Sequence, residues 1–271
     1  MNRLLARIGG LMVVVVLAYG VAGCATTKNE ARPGDVAQTN TGDPADAERR
    51  ARVRLELASA YFGRGQASTA LDEVKLALAA KPDLPEAFNL RGLVYASMGQ
   101  GQLAEESFQR ALQLSPRDAD TLHNFGWYLC QQRRYPAAEQ YFQQALAQPQ
   151  YATATRTMLA MGVCQARAGQ WPQAEQTLSR SYELDPASPV TAFNLAEVLL
   201  RRGELERARF YVRRINAVPE QSNAQSLWLA VRIEQRMGNA AAVQQLGRQL
   251  RERFPQSTEA LQLERGRFDD E

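Results

Sequence analysis

The 271 residues are 45% apolar and 23% charged, with 8% aromatics and 12 prolines, a composition that supports a packed body and excludes wholesale disorder. The formal charge is +3, and removal of a leader carrying Arg3 and Arg7 would leave 30 basic against 29 acidic side chains, so nucleic acid is not an expected partner. One histidine and three cysteines leave little material for metal or nucleophilic chemistry, and no cofactor is expected.

Met1 to Arg7 carries two arginines, and the uncharged apolar run from Ile8 to Val21 follows them, which is the pattern of a secretory signal. Val21-Ala22-Gly23-Cys24 resembles the bacterial lipobox, in which the chain is cut before the cysteine and that cysteine is lipidated. Several acyl chains hold a protein firmly to a bilayer, whereas one alone is marginal. The competing reading is an uncleaved anchor, because Ile8 to Thr27 is 20 residues without charge, near the span of a bilayer, although its glycines and threonines make that anchor poor. Among such lipoproteins an aspartate directly after the cysteine retains the protein at the inner membrane; Ala25 occupies that place here, and the resemblance implies the periplasmic face of the outer membrane.

Residues 25–48 hold almost nothing large and apolar and are rich in Thr, Asp, Gly, Pro and Asn, so they read as a flexible tether. A chain of ~22 such residues has a typical span of ~25 Å. The expected organisation is therefore a signal over 1–23, the lipidated cysteine and tether over 24–48, and a helical domain over 49–271.

That domain repeats itself, with blocks beginning at Ala51, Pro85, Ala119, Thr155, Pro189 and Ala224 and spacings of 34, 34, 36, 34 and 35 residues. The eighth residues of the blocks are Ala58, Gly92, Gly126, Gly162, Ala196 and Val231, and the twentieth are Ala70, Ala104, Ala138, Ala174, Ala208 and Val243. Two helices joined by a short turn cross closely only where side chains are small. Glycines 65, 99, 169, 203 and 238 occupy the fifteenth place as turn residues, and prolines near each block end stop the second helix. This period and its small residues resemble the tetratricopeptide repeat, which implies an all-α, right-handed superhelix of six helix-turn-helix units over 51–84, 85–118, 119–152, 155–188, 189–222 and 224–257. Block six departs from the pattern at Val231, Val243 and Gly247, and Ser257-Thr258-Glu259 starts a short capping helix in which Leu261 and Leu263 cover the last face.

In such arrays the first helix of each unit lines a concave groove, and the resemblance puts the second, fifth, ninth, twelfth and thirteenth residues of a block there. The candidate lining is Leu55, Phe62, Asn89, Leu93, His123, Trp127, Leu159, Val163 and Phe193, apolar enough to dock an amphipathic or extended protein segment. The alternative is that several of these residues are packing positions.

His123 and Cys130 lie on one helix face, but seven residues separate them by ~10.5 Å, beyond the reach of proton transfer, so the pair is not a catalytic dyad. No phosphate-cradling loop and no metal-ligand spacing is present, and neither an enzyme nor a small-molecule substrate is expected. Cys130 and Cys164 fall on the leading helices of neighbouring units and form either a staple between repeats or two buried thiols. Pairs such as Arg133-Arg134 and Arg201-Arg202 read as solvated faces, with contact to an acidic partner as the lesser alternative.

The succession Leu122-His123-Asn124-Phe125-Gly126-Trp127-Tyr128-Leu129-Cys130, then Arg134-Tyr135, Gln140-Tyr141-Phe142, Pro149-Gln150-Tyr151 and Met161-Gly162-Val163-Cys164, is similar to the type IV pilus biogenesis and stability lipoproteins, the PilF/PilW family. Ser226-Leu227-Trp228-Leu229 and Arg253-Phe254-Pro255-Gln256-Ser257 extend the similarity to the C-terminus. The resemblance implies a pilotin, an outer-membrane lipoprotein that binds pilus secretin subunits and promotes their localisation and multimerisation. A scaffold of barrel assembly, of another pilus system or of cell-wall synthase regulation would share the anchor and the repeats.

Overall fold

A computed structural model of the chain describes residues 43–268; the signal, Cys24 and most of the tether lie outside the described residues. The described residues contain thirteen helices and no strand. Twelve of them form six antiparallel pairs: α1 (Pro44–Gly63) with α2 (Ala67–Ala80), α3 (Pro85–Ser97) with α4 (Gly101–Leu114), α5 (Ala119–Gln131) with α6 (Tyr135–Leu146), α7 (Ala154–Arg167) with α8 (Trp171–Leu184), α9 (Pro189–Arg201) with α10 (Leu205–Asn216), and α11 (Ala224–Arg236) with α12 (Ala240–Arg253). The short α13 (Thr258–Glu264) follows.

Local chemistry sets the helix boundaries. Pro85 and Pro189 open α3 and α9 at the first turn, where a missing N–H is harmless. Asp118, Ser188, Asn223 and Ser257 cap α5, α9, α11 and α13 through side-chain oxygens that accept from backbone N–H groups. Within each pair, the turn needs one residue in the left-handed region. Gly65, Gly99, Gly169, Gly203 and Gly238 provide it with φ between 72° and 77°, while the third repeat places Arg133 there at φ 59°. The first helix begins earlier than the repeat boundary suggests. Pro44 starts α1, and Glu48, read from sequence as the last tether residue, accepts from Lys81 Nζ at 2.9 Å and Arg52 Nη2 at 2.7 Å.

In blocks two to four the eighth and twenty-fourth places pack against one another as size-matched partners. A Cβ added to Gly92 would sit 2.7 Å from the Phe108 ring, one on Gly126 3.0 Å from Phe142, and one on Gly162 2.6 Å from Leu178. In the first and fifth repeats alanine at the eighth place (Ala58, Ala196) goes with valine at the twenty-fourth (Val74, Val212), all fully or almost fully buried. The sixth repeat inverts the pair, with Val231 at the eighth place and Gly247 at the twenty-fourth. The missing side chain at Gly247 leaves room for α13, whose Leu263 would lie 3.1 Å from a Cβ there. Block six is thus the seat of the cap. Ala260 is buried against it, and Phe268 stacks on Trp228 with ring centroids 5.6 Å apart.

Leading helices of successive repeats approach closely along the whole array, α1 with α3, α3 with α5, α5 with α7, α7 with α9 and α9 with α11; the backbones of successive trailing helices stay farther apart and meet only through long side chains, as Tyr182 and Tyr211 do between α8 and α10 with ring centroids 5.0 Å apart. Unequal spacing of the two layers curves the stack into the right-handed superhelix of its repeat type, with the leading helices on the inner, concave side. The core follows the same logic, running as overlapping clusters from repeat to repeat rather than as one central mass.

The contact of α5 with α7 is pinned twice. His123 Nδ1 lies 2.8 Å from Thr157 Oγ1, which also meets the Tyr151 hydroxyl at 2.8 Å. Seven residues further along each helix, Cys130 and Cys164 are joined as a disulfide with Cα atoms 5.8 Å apart. Both pairs span 34 residues, so they report one register. His123 was read from sequence as groove lining; the structure places it only 5% exposed in the packing between repeats, because its bond to Thr157 turns the ring into the α5–α7 interface. Burial, with the Arg156 charge second, lowers its pKa to about 4.

Gly162→Ala sets a helix-propensity gain of about 1 kcal/mol against an overpacking penalty of about 1–3 kcal/mol. The closest contact is a buried branched carbon of Leu178, so the penalty wins and the expected outcome is a net loss of about 1 kcal/mol in urea unfolding. In a double-mutant cycle, Leu178→Val should relieve part of that loss, and additive effects would contradict the size-matching account.

The bridge closes a loop of 34 residues, so Cys130→Ser with Cys164→Ser should lower stability by about 2–4 kcal/mol. Alkylation of the non-reduced native protein followed by mass spectrometry checks the bridge itself: labelling of both thiols would rule it out. His123 is held neutral in the fold, so its contribution is intact above the ordinary histidine value of 6.5 and is lost as pH falls from 6.5 toward 4. The loss should reach about 2 kcal/mol by ~pH 5. Melting curves of His123→Asn should lack that component, and an unchanged acid profile would assign the acid sensitivity elsewhere.

Candidate protein-binding groove

The concave face is built from the leading helices, whose side chains on one stripe point away from their trailing partners. Leu55, Phe62, Asn89, Leu93, Trp127, Leu159, Val163 and Phe193 all fall on these helices, and all are half-buried. Each apolar one has a side chain shared between packing and surface. Leu55 and Phe62 rest on the N-terminal core, Leu93 bridges it to the central cluster, Trp127 packs on the central cluster, and Leu159 and Phe193 pack on the C-terminal one. Sequence reading posed groove against core as alternatives; a half-buried stripe is both, since a tightly curved array brings neighbouring leading helices into contact while one edge of each side chain stays open.

Polar side chains cross-link this face. Asn124 Nδ2 donates to Asn89 Oδ1 at 3.1 Å, and Arg156 Nη2 donates to Asn124 Oδ1 at 3.2 Å, a ladder over α3, α5 and α7. Further along, Arg232 Nη1 meets Glu197 Oε1 at 3.2 Å between α11 and α9, and the Arg167 guanidinium lies over the Trp127 ring at 5.1 Å. Each bond joins adjacent repeats, so the face is held in a defined curvature before any partner arrives.

Between α7 and α9 a cavity of about 300 Å³ opens, with Val163, Ala166, Leu178 and Val198 as apolar wall, Trp171 beside them, and Arg167, Asn194, Glu197 and Arg201 at its mouth. A second cavity of about 290 Å³ lies between α10, α11 and α12, where buried Glu234 accepts from Arg209 Nε at 2.7 Å and from Asn239 Nδ2 at 2.8 Å. Of the first cavity's residues, Val163 is a predicted lining residue and Arg201 belongs to a pair that reads from sequence as a solvated face. The signal for the rest was present, since Arg167, Arg201 and Arg236 recur at the thirteenth place of three successive blocks, itself a groove place. The pair His123 and Cys130 offers no chemistry here: the thiol is spent in the bridge and the imidazole is engaged with Thr157. Among the described residues no three His, Cys, Asp or Glu side chains converge as metal ligands.

Comparison with known proteins agrees with this architecture. Models of the tetratricopeptide repeat match residues 83–150, 123–189 and 166–229. The type IV pilus assembly protein PilF of Pseudomonas aeruginosa is 28% identical over 247 residues, covering 91% of this chain and 94% of that protein. The crystal structure of PilW, described as a widely conserved type IV pilus biogenesis factor, superposes with a TM-score of 0.73 at 31% identity, over 79% of this chain and 97% of that one. The structure of Pseudomonas aeruginosa PilF superposes with a TM-score of 0.71 at 24% identity, over 82% of this chain and all of that one. YrrB, described as a repeat protein with an unusual peptide-binding site, shares the fold at 18% identity and a TM-score of 0.55. The chain therefore belongs to the PilF/PilW family of type IV pilus biogenesis proteins, built on the tetratricopeptide repeat.

Proposed function

We propose that this protein is a non-enzymatic pilotin: an outer-membrane lipoprotein, anchored through acylated Cys24, that binds secretin subunits of the type IV pilus and promotes their localisation and multimerisation. The observation that carries the reading is the kinship with PilW, at 31% identity over nearly all of the helical body. The half-buried apolar stripe on the concave face supports it, because such a surface suits a protein segment rather than a small reactant.

The mechanism needs no covalent step. Acyl chains on Cys24 set the destination, and the residues between Cys24 and α1 give reach. The groove holds a secretin segment, so each bound subunit inherits the lipoprotein's address. Concentrating subunits on one membrane face makes their encounter effectively intramolecular and favours ring closure.

Membranes from cells with and without the gene, run on an unboiled gel that keeps the secretin ring intact, test the reading. Loss of the ring, with subunits stranded at the inner membrane, is expected; a correctly placed ring without the gene would overturn it. Cys24→Ala should leave a folded protein that no longer reaches the outer membrane. Trp127→Asp or Leu93→Asp should weaken capture of the secretin by about tenfold or more while the protein stays anchored, as expected for a groove anchor residue.

A further inference from the structure

Charge is segregated along the groove. At its five lining places, repeats one to three contribute one arginine, Arg52, against two carboxylates, Glu86 and Asp120. Repeats four to six contribute Arg156, Arg167, Arg201, Arg232 and Arg236 against Glu197 alone. The whole chain is nearly balanced once the leader is set aside, so this is a local excess and not a reflection of bulk composition. Five arginines against one carboxylate give this half of the face a positive field whichever of them pair with Glu197; Arg232, one of its partners, is mostly buried, and Arg156, Arg167, Arg201 and Arg236 are more exposed.

The cavity between α7 and α9 lies inside that field. Its wall of Val163, Ala166, Leu178 and Val198 is apolar, its volume of about 300 Å³ accommodates one leucine- or phenylalanine-sized side chain, and Arg167 and Arg201 stand at its mouth with Asn194 and with Glu197, whose carboxylate is bonded to Arg232. The structure holds Arg167 in place on the Trp127 ring, so the guanidinium is oriented before binding. Coulomb attraction at exposed sites is modest per pair and salt-sensitive, whereas burial of a large side chain in a preformed cavity supplies non-directional affinity. Together they select a segment that has both features.

We infer that the groove of repeats four to six docks an acidic segment of the partner protein, with one bulky apolar side chain seated between α7 and α9 and flanking carboxylates meeting Arg167 and Arg201. The inference deepens the proposed function by giving the chemistry of the bound segment, and it rests on that reading only for the identity of the partner. Nucleic acid is disfavoured as occupant because the chain carries almost no basic excess once the leader is set aside and the cavity wall is apolar.

The test is fluorescence anisotropy of the purified full-length protein with labelled synthetic peptides in which a central leucine lies between glutamates. Binding should fall about tenfold when the leucine becomes alanine, and about tenfold when the protein carries Arg167→Glu with Arg201→Glu. Binding should also weaken as salt is raised. Both arginines are exposed, so the variant should stay folded, with a melting temperature lowered by only a few degrees through loss of the Arg167–Trp127 contact, which circular dichroism checks. A peptide with lysines in place of the glutamates should prefer the charge-reversed variant to the native protein. Equal binding of neutral and acidic peptides, indifference to the charge reversal, or arginine-dependent binding of phosphatidylglycerol vesicles in place of the peptides would each overturn the inference. Capture of the secretin separates it from the proposed function. If the charge-reversed variant still retains the secretin and no acidic peptide binds, docking by charge fails while the pilotin reading stands. If acidic peptides bind as described and the native protein retains no secretin, the docking chemistry stands and the partner is a different protein.

Discussion

The architecture depends on how closely two helices of one repeat can cross. At the eighth and twenty-fourth places a glycine faces a phenylalanine or leucine, or an alanine goes with a valine, so summed volume is kept while the partition between the two positions varies. Close packing leaves no slack for an added methyl group at Gly92 or Gly162. The same constraint explains the last repeat. Valine and glycine exchange places there, the two helices still meet, and the vacated space on α12 becomes the seat for Leu263 of the cap. A stacked array needs its end covered, and here the cover is accommodated by inverting one pair and not by adding a new surface.

Between repeats the links are of a different kind. Leading helices are joined by side-chain bonds that recur about one period apart: His123 to Thr157, Cys130 to Cys164, Asn124 to Asn89 and Arg232 to Glu197. Trailing helices of neighbouring repeats keep their backbones farther apart and meet through long side chains, as Arg207 and Glu175 do between α10 and α8, so the close approach that sets the curvature lies in the inner layer. The strongest of these links, one covalent and one buried, both lie between α5 and α7 near the middle of the array. Bending there is restrained more than elsewhere, and the groove on either side is presented as two arms of fixed relative curvature. The arms differ in character, apolar and slightly acidic toward α1, arginine-rich with an open cavity toward α11.

A groove of this build is suited to recognising a protein segment. Its charged groups are mostly arginines, with Glu86, Asp120 and Glu197 among them, and its histidine is buried, held toward the neutral form, with its ring nitrogen engaged by Thr157. What the face offers is shape, apolar contact and a field, the ingredients of docking a chain segment. That agrees with membership of a family of pilus biogenesis proteins whose repeat is an interaction module.

The sequence by itself determined the repeat. A period near 34 residues with small side chains at two fixed places, turn glycines at a third and prolines near block ends suits paired helices that cross closely, so the number of repeats was legible without coordinates, and the resemblance to the tetratricopeptide repeat implied a groove on the leading helices. Cys130 and Cys164 were legible as neighbours but not as partners, because bridging depends on a Cα separation of 5.8 Å that spacing cannot supply. Pro44 to Glu48 read as tether by composition, yet they are helical, since Glu48 finds Lys81 only after α2 has folded back. His123 sits at a groove place by register and is nevertheless buried, for its ring turns into the α5–α7 interface to meet Thr157, a side-chain choice that register does not fix. The cavity flanked by Arg167 and Arg201 was likewise a tertiary decision. It is formed by side chains from α7, α8 and α9 whose separation depends on the curvature of the stack, a property of the packed array and not of any one repeat.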